Sequence, residues 1–143
     1  MKNQISFASA EDCARAFYDA FARREIEAIM ATWSEDDEIV CGHPGAAPLY
    51  GYGAVRAAWD AIFRNNDAMR VEVKDEHWHI TVGMAIQFAI EWIYVGDEAQ
   101  ARGPVFATNT FLRTPLGWRM LSHTAAPIQA GLPMRGGQEV VLH

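Results

Sequence analysis

Two histidines in this sequence stand where a side chain could move a proton. His43 lies between a glycine and a proline, at a predicted turn after the short apolar run EIVC. His123 lies in an alternating segment near the end of the chain, which predicts a strand. Because an imidazole titrates close to physiological pH, both are candidate general acids or bases. The alternatives are a buried structural histidine at position 123 and a solvated turn residue at position 43.

A second histidine pair suggests metal binding. His77 and His79 are two residues apart on a predicted strand, so their side chains point to the same side. With His43 or His123 they would supply three imidazoles. The sequence spacing does not show that a third ligand or a carboxylate partner lies near this pair. A pair of surface histidines is therefore the favoured interpretation, and no metal site is predicted.

The composition excludes several classes of function. With 143 residues, 50% of them hydrophobic and 21% charged, the chain is expected to form one domain over residues 1–143. A net charge of −6 without a Lys/Arg cluster argues against nucleic acid as a partner.

No segment has the length of a membrane span or the pattern of a signal peptide. Cys13 and Cys41 form neither a disulfide framework nor a zinc-ligand spacing, so a cytoplasmic protein is expected. No phosphate loop or dinucleotide fingerprint is present, and no cofactor is predicted.

The elements that would position these residues follow from periodicity. Apolar residues at helical spacing predict a first helix that Ser9 caps, a short second helix from Ile26 to Trp33, and a third from Val55 to Phe63. Everything after Asn66 is typical of strand, and a change of alternation near Asp75–His77 predicts a bulge or tight turn. This order predicts an α+β fold, a cone-shaped barrel with three N-terminal helices on a curved antiparallel sheet. An irregular tail is expected from about residue 127.

Three segments carry a family resemblance: REIEAIMATWSEDDEIV, then HPG with LYGYGAVRAAW, then ATNTFLRTPLGWRMLSHTAAP. Together they resemble the SnoaL-like polyketide cyclase and ketosteroid isomerase superfamily, which has the nuclear transport factor two-like fold. The last segment is also similar to the association domain of calmodulin-dependent kinase. The resemblance covers about Asp12 to Pro127. It implies an apolar cavity between helices and sheet, and a homodimer that forms through the sheet.

The same resemblance argues against the steroid isomerase reaction. The position of that family's general-base aspartate is Cys41 here, its tyrosines correspond to Phe17, Trp33 and Trp59, and its second oxyanion-hole acid corresponds to Asn109. A cysteine is only a few per cent thiolate at neutral pH, so it replaces a carboxylate poorly. The cavity would therefore need other proton-transfer groups.

The resemblance also predicts which side chains face the cavity. His123 and Asn109 would face it from neighbouring strands. On the long strand from Ala85 to Val95, Phe88 and Trp92 would point inward and Glu91 outward, although a bulge would reverse this and make Glu91 a catalytic candidate. The expected substrate-binding residues are Phe17, Trp33, Cys41, Trp59, Phe63, Phe88 and Trp92.

Two functions from different classes fit this sequence. The first is a cofactor-independent lyase, isomerase or cyclase in which His123 moves a proton, Asn109 holds an oxyanion and His43 is a second proton-transfer group. The second is a non-catalytic ligand-binding or assembly domain. The expected partners are a small hydrophobic or aromatic ligand and a second copy of the chain.

Overall fold

The computed structural model describes residues 5–129, 131–133 and 139–141, and these form three helices and eight strands. The helices are α1 (Ala10–Arg23), α2 (Ile26–Met30) and α3 (Tyr52–Asn65). The short strands are β1 (Val40–Gly42) and β2 (Leu49–Tyr50), and the long ones are β3 (Met69–Ile80), β4 (Met84–Val95), β5 (Arg102–Thr114) and β6 (Gly117–Pro127). In the expected irregular tail, β7 (Gly131–Pro133) pairs with β8 (Glu139–Val141). The α+β class is confirmed.

Helix α1 begins as its sequence predicts. The Ser9 side chain accepts a hydrogen bond from the amide of Asp12 at 3.1 Å, which caps the first turn. The helix ends at Arg24, whose backbone is left-handed with φ 56°. Its buried face carries Cys13 and Phe17 and packs on the inner face of the sheet. Helix α2 is shorter than expected, since it ends at Met30 while Trp33 pairs with β6 in an isolated bridge.

The six-stranded sheet has the order β2-β1-β6-β5-β4-β3. The expectation of a wholly antiparallel sheet is wrong at one pair, because β1 runs parallel to β6. Antiparallel hairpins join β3 to β6 in sequence, whereas β1 reaches its place beside β6 from the helical half of the chain. This pairing sets Cys41 beside His123.

The predicted change of alternation in β3 is a bulge. The register of β3 against β4 shifts between Lys74 and His77, and Asp75 has a φ of 52°. The bulge changes the parity of the strand, so Val73 and Trp78 can both face the inner side.

The predicted orientation of β4 is wrong. The buried residues are Ala85, Gln87, Ala89 and Glu91, whereas Phe88 and Trp92 are only half-buried on the opposite face. The inner face lies beneath α1, where alanines leave room for the helix and hydrogen bonds compensate the buried polar groups. Phe88 and Trp92 therefore do not line the interior, and Glu91 does.

The N-terminal segment passes close to the turn between β5 and β6. The amide of Trp118 donates to the carbonyl of Phe7 at 2.9 Å. Gly117 has a φ of 92°, and a Cβ on it would lie 2.6 Å from Ser6 Oγ and 2.7 Å from the Phe7 oxygen. Only glycine combines this backbone conformation with this close approach.

Candidate active site

One residue from each strand of the six-stranded sheet contributes to a single row across its inner face. In the observed register the row is Leu49, Cys41, His123, Asn109, Gln87 and Trp78, from β2 to β3. We call these six residues the cross-sheet row. Its three central members, His123, Asn109 and Gln87, are polar and at most 1% exposed. Buried polar groups at adjacent positions need partners, and they find them in one another.

Hydrogen bonds join the row to α1 and to Glu91. His123 Nδ1 donates to Asn109 Oδ1 at 2.6 Å. The amide nitrogen of Asn109 donates to the Tyr18 hydroxyl at 2.9 Å and to Gln87 Oε1 at 3.0 Å. The Tyr18 hydroxyl donates to Glu91 Oε2 at 2.7 Å. Because both amide hydrogens of Asn109 are used, its oxygen faces the ring, and Nδ1 of His123 carries the hydrogen.

Burial moves the pKa values of this network strongly. Desolvation, and then the nearby His43, lowers the pKa of His123 to about 3, so its ring is neutral near pH 7. Desolvation raises the pKa of Glu91 to about 7, although the hydrogen bond from Tyr18 opposes this. Burial and the Glu91 charge raise the pKa of Tyr18 well above its usual range. Glu91 is therefore the group of this network that changes protonation near neutral pH.

A cleft between α1 and the β3–β4 hairpin brings solvent to the edge of the network. Its volume is about 520 Å³, within the range of small-molecule sites. Val71, Val73 and Trp78 supply apolar and aromatic surface. Tyr18 and Gln87 belong both to this wall and to the hydrogen-bond network, so they connect the cleft to Glu91 and Asn109.

The charged residues of the cleft lie mainly at its outer side. Glu76 accepts a hydrogen bond from Gln87 Nε2 at 2.7 Å and is exposed. Glu11, Arg15 and Asp19 of α1 complete the charged lining. The cleft thus combines apolar side chains with a polar rim, which suits a small and largely apolar molecule that carries a polar group.

Four aromatic residues expected to bind substrate form a packed cluster instead of lining this cleft. Phe17, Trp33 and Trp59 are fully buried and Phe63 is 7% exposed. Phe17 lies at the centre, with ring centroids 5.6 Å from Trp59 and 6.4 Å from Trp33. Trp59 contacts Phe63 at 5.7 Å. Contact of these residues with a substrate stays a prediction, and their observed ring contacts are with each other and with neighbouring aromatic and histidine rings.

His43 and Cys41 form a second pair beside this cluster. Cys41 Sγ lies 3.4 Å from His43 Nε2, and the His43 ring packs edge-on against Trp59 at 4.8 Å. Desolvation, and to a smaller extent the charge of Glu91, raises the pKa of Cys41 to about 12. The thiol is therefore protonated at neutral pH and does not act as a nucleophile. Burial lowers the pKa of His43. The turn histidine thus faces inward, 6.3 Å from His123 between ring centroids.

Sequence reasoning missed Tyr18 and Gln87, and both carried a signal. Tyr18 lies four residues after Ala14, on the same buried stripe of α1. Gln87 is a polar residue on the strand next to Asn109, and an inward Asn109 needs a polar neighbour. His77 and His79 are exposed, and among residues 5–129 no three His, Cys, Asp or Glu side chains gather as a metal site. No helix in the described part of the chain is long and apolar enough to span a membrane.

Comparison with known proteins agrees with this architecture. The profile of the SnoaL-like domain matches residues 10–129. No curated protein matches the chain. A structure from Streptomyces avermitilis, provisionally named a dehydratase of the NTF2-like family, is 31% identical with a TM-score of 0.75 and covers 82% of this chain and 92% of its own.

A second crystal structure is more similar in sequence. It comes from Thiobacillus denitrificans and is provisionally named a calcium/calmodulin-dependent protein kinase type II association domain. It is 38% identical, covers 87% of this chain and 99% of its own, and has a TM-score of 0.83. An NTF2-like protein of unknown function from Pseudomonas putida, at 20% identity and TM-score 0.74 over 93% of this chain and 92% of its own, shares the fold.

Proposed function

Because this chain belongs to the SnoaL-like family, we propose that it binds a small apolar or aromatic molecule and catalyses a proton transfer on it without a cofactor. The reaction class is an isomerisation, a dehydration or another lyase step, or a cyclisation, on a route that begins with loss of a proton from carbon or oxygen. The observation that supports this is the buried Glu91, joined by Tyr18 to the wall of an open cleft.

Glu91 is the proposed base and Tyr18 the group between it and the ligand. Tyr18 would take a proton from the ligand while passing its own proton to Glu91 Oε2, so that no free tyrosinate forms. This is consistent with the raised pKa of Tyr18 and with a pKa of about 7 for Glu91, which suits a base at neutral pH. The ligand's developing anion would lie near the side-chain amide of Gln87.

His123 and Asn109 have positioning roles in this proposal. A ring with a pKa of about 3 is a weak base, so His123 is not the group that takes the proton. Its Nδ1–H instead fixes the orientation of Asn109, and Asn109 in turn donates to Tyr18. His43, packed on Trp59 and hydrogen-bonded to Cys41, would help to hold this end of the network in place.

The test is solvent deuterium incorporation into a panel of small aromatic and cyclic ketones, followed by proton NMR. Glu91→Gln should slow exchange by about 10² or more, because it keeps the acceptor for Tyr18 and removes the base. In the wild type the rate should rise with pH through about 7, as Glu91 ionises. Asp19→Asn is the matched control, since Asp19 lines the cleft without joining the network.

Equal exchange by wild type and Glu91→Gln would contradict the mechanism. Saturable binding of a panel member without any exchange would support the second candidate, a non-catalytic binding or assembly domain. That candidate is favoured by the internal pairing of the network, where Tyr18, Asn109 and Gln87 all hydrogen-bond to protein groups. The similarity to the Thiobacillus structure, named as an association domain, agrees with it.

We propose one cone-shaped SnoaL-like domain over residues 1–143, in the cytoplasm, that forms a homodimer through the outer face of its sheet. Support for the dimer comes from the half-buried aromatic and aliphatic side chains on that face of β4 and from Phe106, which is 45% exposed.

A further inference from the structure

A second pocket lies between the turn that joins β5 to β6 and the segment after α2. Its volume is about 220 Å³, and it shares no lining residue with the α1–β3 cleft. Pro115 and Leu116 form one side, Ser34 and Glu35 another, and Trp33 and Arg119 also line it.

Arg119 carries a buried charge without a carboxylate partner. It is 7% exposed, and within the described residues it forms no ion pair. Its two terminal nitrogens donate to the carbonyls of Ala31 and Ile5, while its Nε–H has no hydrogen-bond partner there. A guanidinium has five N–H donors, so these two contacts leave most of its capacity unused. The guanidinium also lies 5.7 Å from the centroid of the Phe7 ring, a cation–π contact. None of these partners carries a negative charge, so burial of the cation is costly and an anion would offset that cost.

Trp33, which lines the same pocket, has a second unsatisfied donor. Trp33 is fully buried, and its Nε1–H has no partner among the described residues. Trp33 and Arg119 thus each bring an unpaired buried N–H to a pocket that Pro115 and Leu116 also line. One of these two residues is charged, so the pair favours an anionic group with a short hydrocarbon part.

We propose that this pocket is a binding site for a small monocarboxylate, with Arg119 and Trp33 as its anion-binding residues. The carboxylate would face the guanidinium and the indole N–H, and its alkyl part would pack on Pro115 and Leu116. Glu35 at the rim is exposed, so its charge is screened by water and weakens binding only modestly. The site is independent of proton transfer at Glu91.

The experiment is an acetate titration of the ¹⁵N-labelled protein at pH 7 and constant ionic strength, with the Trp indole N–H signals as the readout. The Trp33 signal, assigned by its loss in Trp33→Phe, should move saturably with a Kd of about 1–10 mM, as expected for a ligand of four heavy atoms. Trp59 is the internal control, because its Nε1–H is also buried and unpaired but does not line this pocket. Chloride and methyl acetate should leave the Trp33 signal in place.

Two variants locate the anion. Arg119→Lys should weaken acetate binding about fivefold or more. The planar guanidinium can donate two parallel hydrogen bonds to a carboxylate, whereas the lysine ammonium acts as a point charge. Glu35→Gln, a change at an exposed residue that the fold tolerates, should tighten binding about twofold to threefold. A Trp33 signal that does not saturate, or an acetate affinity that Glu35→Gln leaves unchanged, would overturn the proposal. Glu91→Gln should not affect this titration.

Discussion

At the scale of single residues, Glu91 and His123 respond to pH in opposite directions. The pKa of Glu91 is raised from 4.5 to about 7, so its unfolded form ionises first and stability is lost as pH rises from 4.5 to 7. The pKa of His123 is lowered from 6.5 to about 3, so its unfolded form takes up a proton first and stability is lost as pH falls from 6.5 to 3. Between pH 4.5 and 6.5 the two effects offset each other.

Removing Glu91 should therefore expose the pH dependence of His123. In the wild type the contributions of Glu91 and His123 should cancel between pH 4.5 and 6.5. In Glu91→Gln the free energy of unfolding should rise with pH more steeply than in the wild type, and His123 alone contributes up to about 1.4 kcal/mol per pH unit, since its unfolded form releases one proton. The lowered pKa of His43 adds to the same direction. Urea titrations at several pH values measure this, and a Glu91→Gln profile parallel to that of the wild type would contradict it.

The polar site is only half predictable from the residues. Parity and the family resemblance together place His123 and Asn109 on the inner face, where the structure has them on neighbouring strands. The resemblance places Phe88 and Trp92 inside and therefore Glu91 outside, and both placements are wrong. In β4 the large apolar side chains lie on the outer face of the sheet, and the inner face carries alanines and hydrogen-bonded polar side chains.

At the scale of elements, the turn between β5 and β6 depends on Gly117. Gly117→Ala should destabilise the protein by about 2–3 kcal/mol, because it adds a backbone clash with Phe7 to the strain of a positive φ. Gly45→Ala is the matched control and should cost about 1 kcal/mol, since Gly45 has a φ of 75° and a Cβ on it would meet nothing within 4 Å. Chemical denaturation compares them, and equal losses would show that the approach of Phe7 is unimportant.

Local signals predict the elements better than their pairing. The Ser9 cap and the β3 bulge are predictable because a few adjacent residues determine each. The parallel pairing of β1 with β6 is not, because it joins residues about 80 positions apart, and nothing in EIVC specifies its partner. Helix α2 ends early because Trp33 bridges to β6, a tertiary contact that overrides its helical spacing.

At the scale of the whole molecule, the outer sheet face determines the proposed assembly. Phe88 and Phe106 stack on that face with centroids 6.2 Å apart. Phe106→Lys should convert the proposed dimer to a monomer, because a charge placed on this apolar face would lose its water in the interface without gaining a partner. Val82→Lys is the control, since Val82 is 85% exposed at the β3–β4 turn, away from that face. Light scattering after gel filtration gives the mass, and a monomeric wild type would contradict the dimer.

The cross-sheet row also has a consequence for how the chain reaches its native state. If β4, β5 or β6 slipped by one residue, the polar residue that this strand contributes to the row would face outward. The adjacent residue of the strand, which normally faces outward, would take its place on the inner face. Such a mispaired sheet would leave Asn109 or His123 without its hydrogen bond. The row therefore favours the native register over slipped ones, since only one alignment of the four long strands completes it.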